Sequence, residues 1–141
     1  MAEAGALTMS EKVHDLFSAI APRYDLLNTV LSLGVDRHWR RRAVSYLQGP
    51  EYHHVLDLCA GTLALTKELL KRNPLSWVTA LDFSQEMLDR GLATLPDDSR
   101  LKPVCADFLK WTPAETFNAV MVAYGLRNID DNRAAVRKVY N

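Results

Sequence analysis

Polar residues follow four short apolar runs of the chain, at the points where strands of a sheet are expected to end. Ligands of open α/β sheets bind beyond the carboxyl ends of the strands, so these positions are the first place to look for chemistry. Three of the four sets contain a carboxylate, and the last contains an arginine beside an amide. The sets are Asp57, Gly61 and Thr62 after the first run, Asp82 after the second, Asp107 after the third, and Tyr124, Arg127 and Asn128 after the fourth.

The spacing of these residues favours an adenosyl cofactor without a pyrophosphate. Asp82 follows Gly61 by about 20–25 residues, the spacing at which a carboxylate binds ribose hydroxyls; a helix cap is the alternative role for a lone aspartate there. The chain contains neither G-x-G-x-x-G nor G-x-x-x-x-G-K-[ST], the turns that hold dinucleotides and nucleoside triphosphates. A close backbone approach at Gly61, a ribose contact at Asp82 and an adenine contact at Asp107 instead predict S-adenosylmethionine.

The first third of the chain is predicted to be helical. Apolar residues recur at helical spacing over residues 13–20. A second helix is expected over about 24–33 and a third opens near Asp36. We assign residues 1–50 to an N-terminal helical segment that serves as a lid or a substrate segment.

Strand and helix patterns alternate over residues 51–141, which we assign to a Rossmann-like domain. Four strands are predicted from the runs HHVLDLC, SWVTALDF, LKPVCADF and FNAVMVAYG. Helices are predicted from LALTKELLKR, SQEMLDRGLATL and DDNRAAVRKVY, with Ser84 as the N-cap of the second. Right-handed crossovers then give a doubly wound α/β fold with about four parallel strands.

Composition narrows the function classes. The 141 residues suffice for one domain, and 17 basic and 17 acidic residues give no reason to expect nucleic acid as a partner. Cys59 and Cys105 lie in apolar runs and are predicted to be buried thiols in a reducing compartment. The four histidines stand apart from other ligand types, so no metal site is predicted. With no signal-peptide pattern and no apolar run of about 20 residues, a cytoplasmic location is expected.

Several pieces of the chain resemble the ubiquinone/menaquinone biosynthesis C-methyltransferase family. The resemblance runs from about Lys12 to the end and rests on LFSAIAPRYDLLNTVLSLGVDRHWRR, VLDLCAGT, ALDFSQEML, ADF and YGLRNIDD. Its specific parts are A-P-x-Y-D-x-x-N and G-L-R-N. It implies a Rossmann-like class I methyltransferase that transfers a methyl group from S-adenosylmethionine to a ring carbon of a prenylated benzoquinol or naphthoquinol.

The resemblance also implies roles for single residues. The implied cofactor residues are Asp57, Gly61 and Thr62 at the methionine, Asp82 at the ribose, Phe83 on the adenine, and Asp107 with the Phe108 backbone at the adenine amine. The implied substrate residues are Tyr24, Asn28 and Tyr124, and the catalytic ones are Arg127, Asn128 and Asp25. Because an arginine is too basic to accept a proton, Arg127 would stabilise a phenolate or orient a water that passes the proton to Asp25.

The chain departs from the family at the glycine turn. Leu63 and Ala64 stand where the family has a second glycine and an acidic residue. A leucine there is expected to crowd the methionine end of the cofactor or to force a different turn. Ala64 also offers no carboxylate to an ammonium group. We therefore expect weak or absent cofactor binding as one alternative, in which the chain is an inactive partner in a quinone-biosynthesis complex. A plain S-adenosylmethionine-binding module is a second alternative.

A second departure concerns length: the family has a seven-stranded sheet, whereas this chain is expected to be a truncated form that ends after the helix following its fourth strand. The family's strand order of 3-2-1-4-5-7-6 would leave the fourth strand as an open edge, and an apolar edge strand is expected to be covered. A homo-oligomer, a domain swap or a partner chain is therefore predicted.

The third predicted helix carries a basic patch made of Arg37 and residues 40–42. The patch is either a solvated helix face or a contact with lipid head groups. In the second case the protein would lie at the inner membrane, on the mitochondrial-matrix side if the source is eukaryotic.

Overall fold

Strands and helices alternate along the part of the chain that the structure describes. The computed structural model describes residues 32, 34–126, 129 and 131–140. The helices are α1 (Val35–Ser45), α2 (Ala64–Arg72), α3 (Gln85–Leu92) and α4 (Asn132–Tyr140), with a short 3₁₀ turn at Pro50–Tyr52. The strands are β1 (His54–Leu58), β2 (Trp77–Asp82), β3 (Leu101–Cys105) and β4 (Ala119–Val122). The helix predicted over 13–20 lies outside the described residues, and so does the one predicted over 24–33 apart from Ser32.

The four strands form one parallel sheet in the order β3-β2-β1-β4, as predicted. The chain runs outward from β1 to β3 and then returns to add β4 on the other side of β1. The carboxyl end of β1 is therefore the topological switch point, where open α/β sheets bind ligands. In register, Asp57 of β1 stands between Ala80 of β2 and Met121 of β4.

Helices cover both faces of the sheet, which confirms the doubly wound α/β fold. On one face, Val55, Val78 and Met121 of the strands pack with residues of α1 and α2. On the other face, Leu56, Leu58 and Leu81 pack with Phe108 and Ala135, the latter from α4. Because β1 is buried on both faces from Val55 to Leu58, it reads as an almost continuous apolar run.

Both sheet edges are more exposed than the centre. Val122 of β4 is 40% exposed, and no strand of the described residues pairs with the outer side of β4. β3 also has exposed positions, among them Cys105, so the prediction that Cys105 is a buried thiol is wrong. On a strand at the edge of a sheet, a residue that an apolar run suggests is buried can face solvent.

The inward face of helix α1 carries charged residues as well as an apolar one. Val44 is fully buried, whereas Trp39 is 59% exposed. Two charged residues, Asp36 and Arg40, lie on the inward side, and Asp36 is 2% exposed. None of the described helices is long and apolar enough to span a bilayer.

Candidate functional site

The turn between β1 and α2 is built from left-handed backbone. Cys59, Gly61 and Leu63 have φ values of 59°, 53° and 63°. For a residue with a side chain, this conformation costs about 1–2 kcal/mol. Such strain is found mostly at functional sites, where the surrounding structure enforces it. The alternating conformation bends the turn back over the sheet and points the N–H of Gly61 toward β2.

Asp82 at the end of β2 receives that N–H. Its Oδ2 accepts a hydrogen bond of 2.8 Å from Gly61 N, and its Oδ1 accepts one of 2.9 Å from Ser84 N. Ser84 caps α3 as predicted, because its Oγ accepts from Met87 N. Asp82 therefore joins the glycine turn to the start of α3.

Asp57 lies beneath the same turn and is 1% exposed. Its Oδ2 accepts hydrogen bonds of 2.6 Å from Thr66 Oγ1 and 3.2 Å from Thr66 N. Burial raises the pKa of Asp57 to about 7, with a smaller contribution from the negative charge of Asp82, and the two bonds from Thr66 oppose the rise. A carboxyl group inside the sheet thus titrates near neutral pH.

A cavity of about 40 Å³ opens above the end of β1. It lies between the glycine turn, α1 and the segment that follows β4. Four of the residues predicted for the site line it, namely Asp57, Gly61, Thr62 and Tyr124. Arg40 of α1 also lines it, although sequence reasoning had placed that arginine only in a basic patch. The spacing of four residues between Asp36 and Arg40 could have indicated that the two side chains form an ion pair on one face of the helix.

Leu63 does not line this cavity, so of the two effects expected at this position, crowding of the cavity is wrong. Its side chain is fully buried and packs with Ala60, Ala80 and Leu88 in a separate cluster under the turn. The left-handed backbone at Leu63 turns the side chain away from the cavity. Gly91 of α3 makes room for it, because a Cβ at Gly91 would lie 2.6 Å from Leu63 Cγ and 2.7 Å from the carbonyl carbon of Thr62.

Replacing Gly91 by alanine is therefore expected to destabilise the protein. Helix propensity alone would stabilise by about 1 kcal/mol, whereas forced contacts in a packed core cost about 1–3 kcal/mol. The contact with the Thr62 backbone cannot be relieved by a rotamer change, so we expect a net loss of about 1–2 kcal/mol in urea unfolding. Adding Leu63→Ala should not restore stability, because the contact with the Thr62 backbone remains and a fully buried leucine side chain is lost. A raised urea midpoint for Gly91→Ala would contradict this packing.

Asp107 lies at the neighbouring strand end but outside the cavity. Its side chain is 43% exposed, and its Oδ1 accepts from Leu109 N at 3.0 Å. Ala106 N donates to the carbonyl oxygen of Asp82 at 2.9 Å, which fixes the two strand ends side by side. Phe83 is half-buried, and Phe108 belongs to the core. The structure thus places Gly61, Asp82 and Asp107 along one rim of the sheet.

The segment after β4 closes the other side of the cavity. Tyr124 is 56% exposed and has a φ of 61°. A Cβ at Gly125 would lie 2.1 Å from Cys59 Cβ, so this approach requires glycine. The catalytic residues predicted from the sequence, Arg127, Asn128 and Asp25, lie outside the described residues, as do the predicted substrate residues Tyr24 and Asn28.

Cys59 stands at the cavity as an unreactive thiol. Burial raises its pKa to about 12, and the negative charges of Asp82 and Asp57 add to the rise. The thiolate, which is the nucleophilic form, is therefore scarce at neutral pH. Cys59 and Cys105 are both free, and no cluster of metal-ligating side chains occurs among residues 34–126 or the rest of the described chain.

Comparison with known proteins gives a consistent set of relatives. Residues 6–141 match the ubiE/COQ5 methyltransferase family. A demethylmenaquinone methyltransferase of Mycolicibacterium paratuberculosis is 43% identical over 128 residues, which are 90% of this chain and 53% of the relative. The ubiquinone/menaquinone biosynthesis C-methyltransferase UbiE of Geotalea daltonii is 34% identical over 92% of this chain and 57% of its own length. This chain spans about half the length of the curated relatives that it matches.

Solved structures show the same fold. The DhpI–SAH complex aligns with a TM-score of 0.69 at 25% identity, over 93% of this chain and 63% of that one. A methyltransferase in complex with the Haloferax volcanii Trm112 activator aligns with a TM-score of 0.71 at 21% identity, over 87% of this chain and 53% of that one.

Proposed function

Because the chain belongs to the ubiE/COQ5 methyltransferase family, we propose that it binds S-adenosylmethionine and methylates a ring carbon of a prenylated benzoquinol or naphthoquinol in ubiquinone or menaquinone biosynthesis. The observation that carries the proposal is the hydrogen bond from Gly61 N to the Asp82 carboxylate. It joins the glycine turn and the end of β2 into one rim at the switch point of the sheet.

The residues of this rim suit an adenosyl cofactor. Asp82 is buried apart from 6% of its surface, and its carboxylate binds the ribose hydroxyls. Asp107, the Phe108 backbone and the Phe83 ring receive the adenine at the neighbouring strand end. Asp57, Gly61 and Thr62 surround the methionine end, since all three line the cavity.

S-adenosylmethionine supplies an electrophilic methyl group on a positively charged sulfur. The chain's task is to position the ring carbon and to stabilise the negative charge of the neighbouring phenolate. Arg127 and Asn128 perform that task, and Asp25 receives the phenol proton through a water. The new C–C bond would replace the C–S bond of the cofactor, with S-adenosylhomocysteine as the leaving group. The methylated ring carbon then loses its hydrogen as a proton, which returns to the phenolate oxygen. Tyr24, Asn28 and Tyr124 contact the substrate. The protonated thiol of Cys59, with its pKa of about 12, does not compete for the methyl group.

Calorimetric titration with S-adenosylmethionine and S-adenosylhomocysteine, followed by a methyl-transfer assay with a short-chain prenyl quinol, tests the proposal. We expect saturable heat for both ligands and product formation by the unaltered chain. Arg127→Ala should abolish transfer while leaving the heat of cofactor binding in place. No heat and no thermal shift with either ligand would contradict the proposal and favour the inactive-partner alternative. Normal turnover by Arg127→Ala would remove that residue from catalysis.

We also propose that the exposed edge of β4 pairs with a second copy of this chain or with a partner chain. Val122 leaves apolar surface and backbone hydrogen-bonding groups on that edge. The mass of the particle in solution tests this, and a monomer at micromolar concentration without a partner would contradict self-association.

The outer face of α1 suits peripheral contact with a membrane at a cytoplasmic or, in a eukaryote, mitochondrial-matrix location. Val35, Trp39 and Tyr46 are exposed on one side of the helix, and the exposed Arg42 lies on the same side, whereas Arg37 lies on the opposite side. Apolar and aromatic residues with flanking arginines are typical of helices that lie on anionic lipid surfaces. Failure to co-sediment with anionic vesicles would contradict this contact.

A further inference from the structure

Arg40 is set apart from the other arginines of α1 by where it points. Its side chain is 20% exposed and lines the cavity beside the glycine turn. The side chain of the next residue, Arg41, is 62% exposed and lies 3.7 Å from Glu68 of α2. Arg40 is the one cationic side chain among the described residues that line this cavity.

A buried carboxylate holds Arg40 in place. Nη2 of Arg40 lies 2.8 Å from Oδ2 of Asp36, outside hydrogen-bonding angles, so the attraction is ionic. Asp36 is itself held by Ser32, whose Oγ donates to Asp36 Oδ1 at 3.1 Å and accepts from Asp36 N at 3.3 Å. A guanidinium has five N–H donors in a planar fork, so contact with one carboxylate leaves donors for a second anionic group.

The cavity matches the amino-acid end of the proposed cofactor. Its volume of about 40 Å³ suits a small polar group, whereas pockets that enclose drug-sized ligands measure about 300–1,000 Å³. The nucleoside must then lie along the rim at Asp82 and Asp107, outside the cavity. Asp57 lines the same cavity, and Ala64 brings no charge to it. Arg40 is therefore placed to meet the anionic group of an amino-acid end.

We infer that Arg40 binds the carboxylate of the methionine moiety of S-adenosylmethionine, and that Asp36 is a positioning residue that orients Arg40. This inference rests on the proposed function, because it assigns one end of the proposed cofactor to one side chain. It also gives α1 a role in cofactor recognition from outside the sheet. A charge-assisted contact of this kind contributes a factor of about 10–100 in affinity.

Decarboxylated S-adenosylmethionine isolates this contact, because it lacks the carboxylate and keeps the ammonium group, the sulfonium and the nucleoside. We expect the unaltered chain to bind S-adenosylmethionine about 10–100 times more tightly than the decarboxylated compound. Arg40→Gln should remove that preference by weakening only the binding of S-adenosylmethionine. Arg41→Gln is the matched control and should leave both affinities within about twofold of the unaltered chain. Asp36→Asn should reduce the preference without removing it.

Comparing the affinities of one variant for the two ligands distinguishes a loss of carboxylate recognition from a general loss of folded protein. If Arg40→Gln weakens both ligands equally, or leaves the preference intact, the inference is overturned and Arg40 is a structural residue. Because Arg40→Gln leaves Asp36 buried without its cation, the double variant Asp36→Asn with Arg40→Gln provides a neutral pair if the single variant unfolds. The same loss of preference is expected from it. If the unaltered chain binds neither ligand, the proposed function itself fails, which is a different result from binding without preference.

Discussion

Replacing Asp82 by asparagine is expected to weaken the binding of S-adenosylmethionine by at least about 100-fold. Each hydrogen bond from a ribose hydroxyl to a carboxylate is worth about 1.5–3 kcal/mol, and two are lost or weakened when the charge is removed. The substitution also disturbs the turn. The carboxylate accepts from both Gly61 N and Ser84 N, and an asparagine would direct its NH₂ group at one of these donors.

Calorimetric titration of the two proteins measures this effect, and near-ultraviolet circular dichroism establishes that the variant is folded. Asp97→Asn is the control, because Asp97 is exposed and lies in the loop between α3 and β3. Asp107→Asn should have a smaller effect, of about threefold to tenfold, since its side chain is 43% exposed. Unchanged affinity in a folded Asp82→Asn protein would place the ribose elsewhere and remove the main support for the proposed site.

The positions of β1 and β2 were predictable because their burial leaves nearly uninterrupted apolar runs in the sequence. The ends of the strands were less predictable. The run after Phe117 extends to Gly125, but β4 stops at Val122, just before Tyr124 takes a φ of 61°. β1 likewise stops at Leu58, before Cys59 with a φ of 59°. Left-handed backbone cannot continue a strand. Because neither residue is a glycine, the sequence did not indicate a left-handed conformation at these two positions.

The placement of Gly61 and Asp82 on one rim was predictable, whereas the details of the turn were not. Parallel strands bring their carboxyl ends to one rim, so the proximity of Gly61 and Asp82 follows from the order of the strands. The direction of the Leu63 side chain does not follow, because it depends on a left-handed conformation that glycine usually takes. The sequence does not distinguish Arg40 from the other three arginines of α1. The arginine that faces inward is determined by how α1 packs against α2.

Ionisation of Asp57 is expected to make the folded chain less stable as pH rises from about 4 to about 7. The pKa of the group is raised from 3.8 to about 7 by burial in the folded state, so in this window the folded protein holds a proton that the unfolded chain has released. The contribution of protonated Asp57 to the free energy of unfolding is complete below about pH 4. It is lost as pH rises through the pKa of the group in the folded state. The total loss is on the order of 4 kcal/mol, at about 1.4 kcal/mol for each pKa unit.

Asp57→Asn separates this effect from the titration of all other groups. The amide oxygen of asparagine can still accept from Thr66 Oγ1 and Thr66 N, but it carries no charge to be desolvated. In urea unfolding we expect the variant to match the unaltered chain near pH 4 and to exceed it by a few kcal/mol at pH 8. Asp97→Asn should follow the unaltered chain at every pH. Parallel stability curves for Asp57→Asn and the unaltered chain would mean that Asp57 is ionised throughout. A cation or additional hydrogen-bond donors would then have to be stabilising its charge beneath the glycine turn.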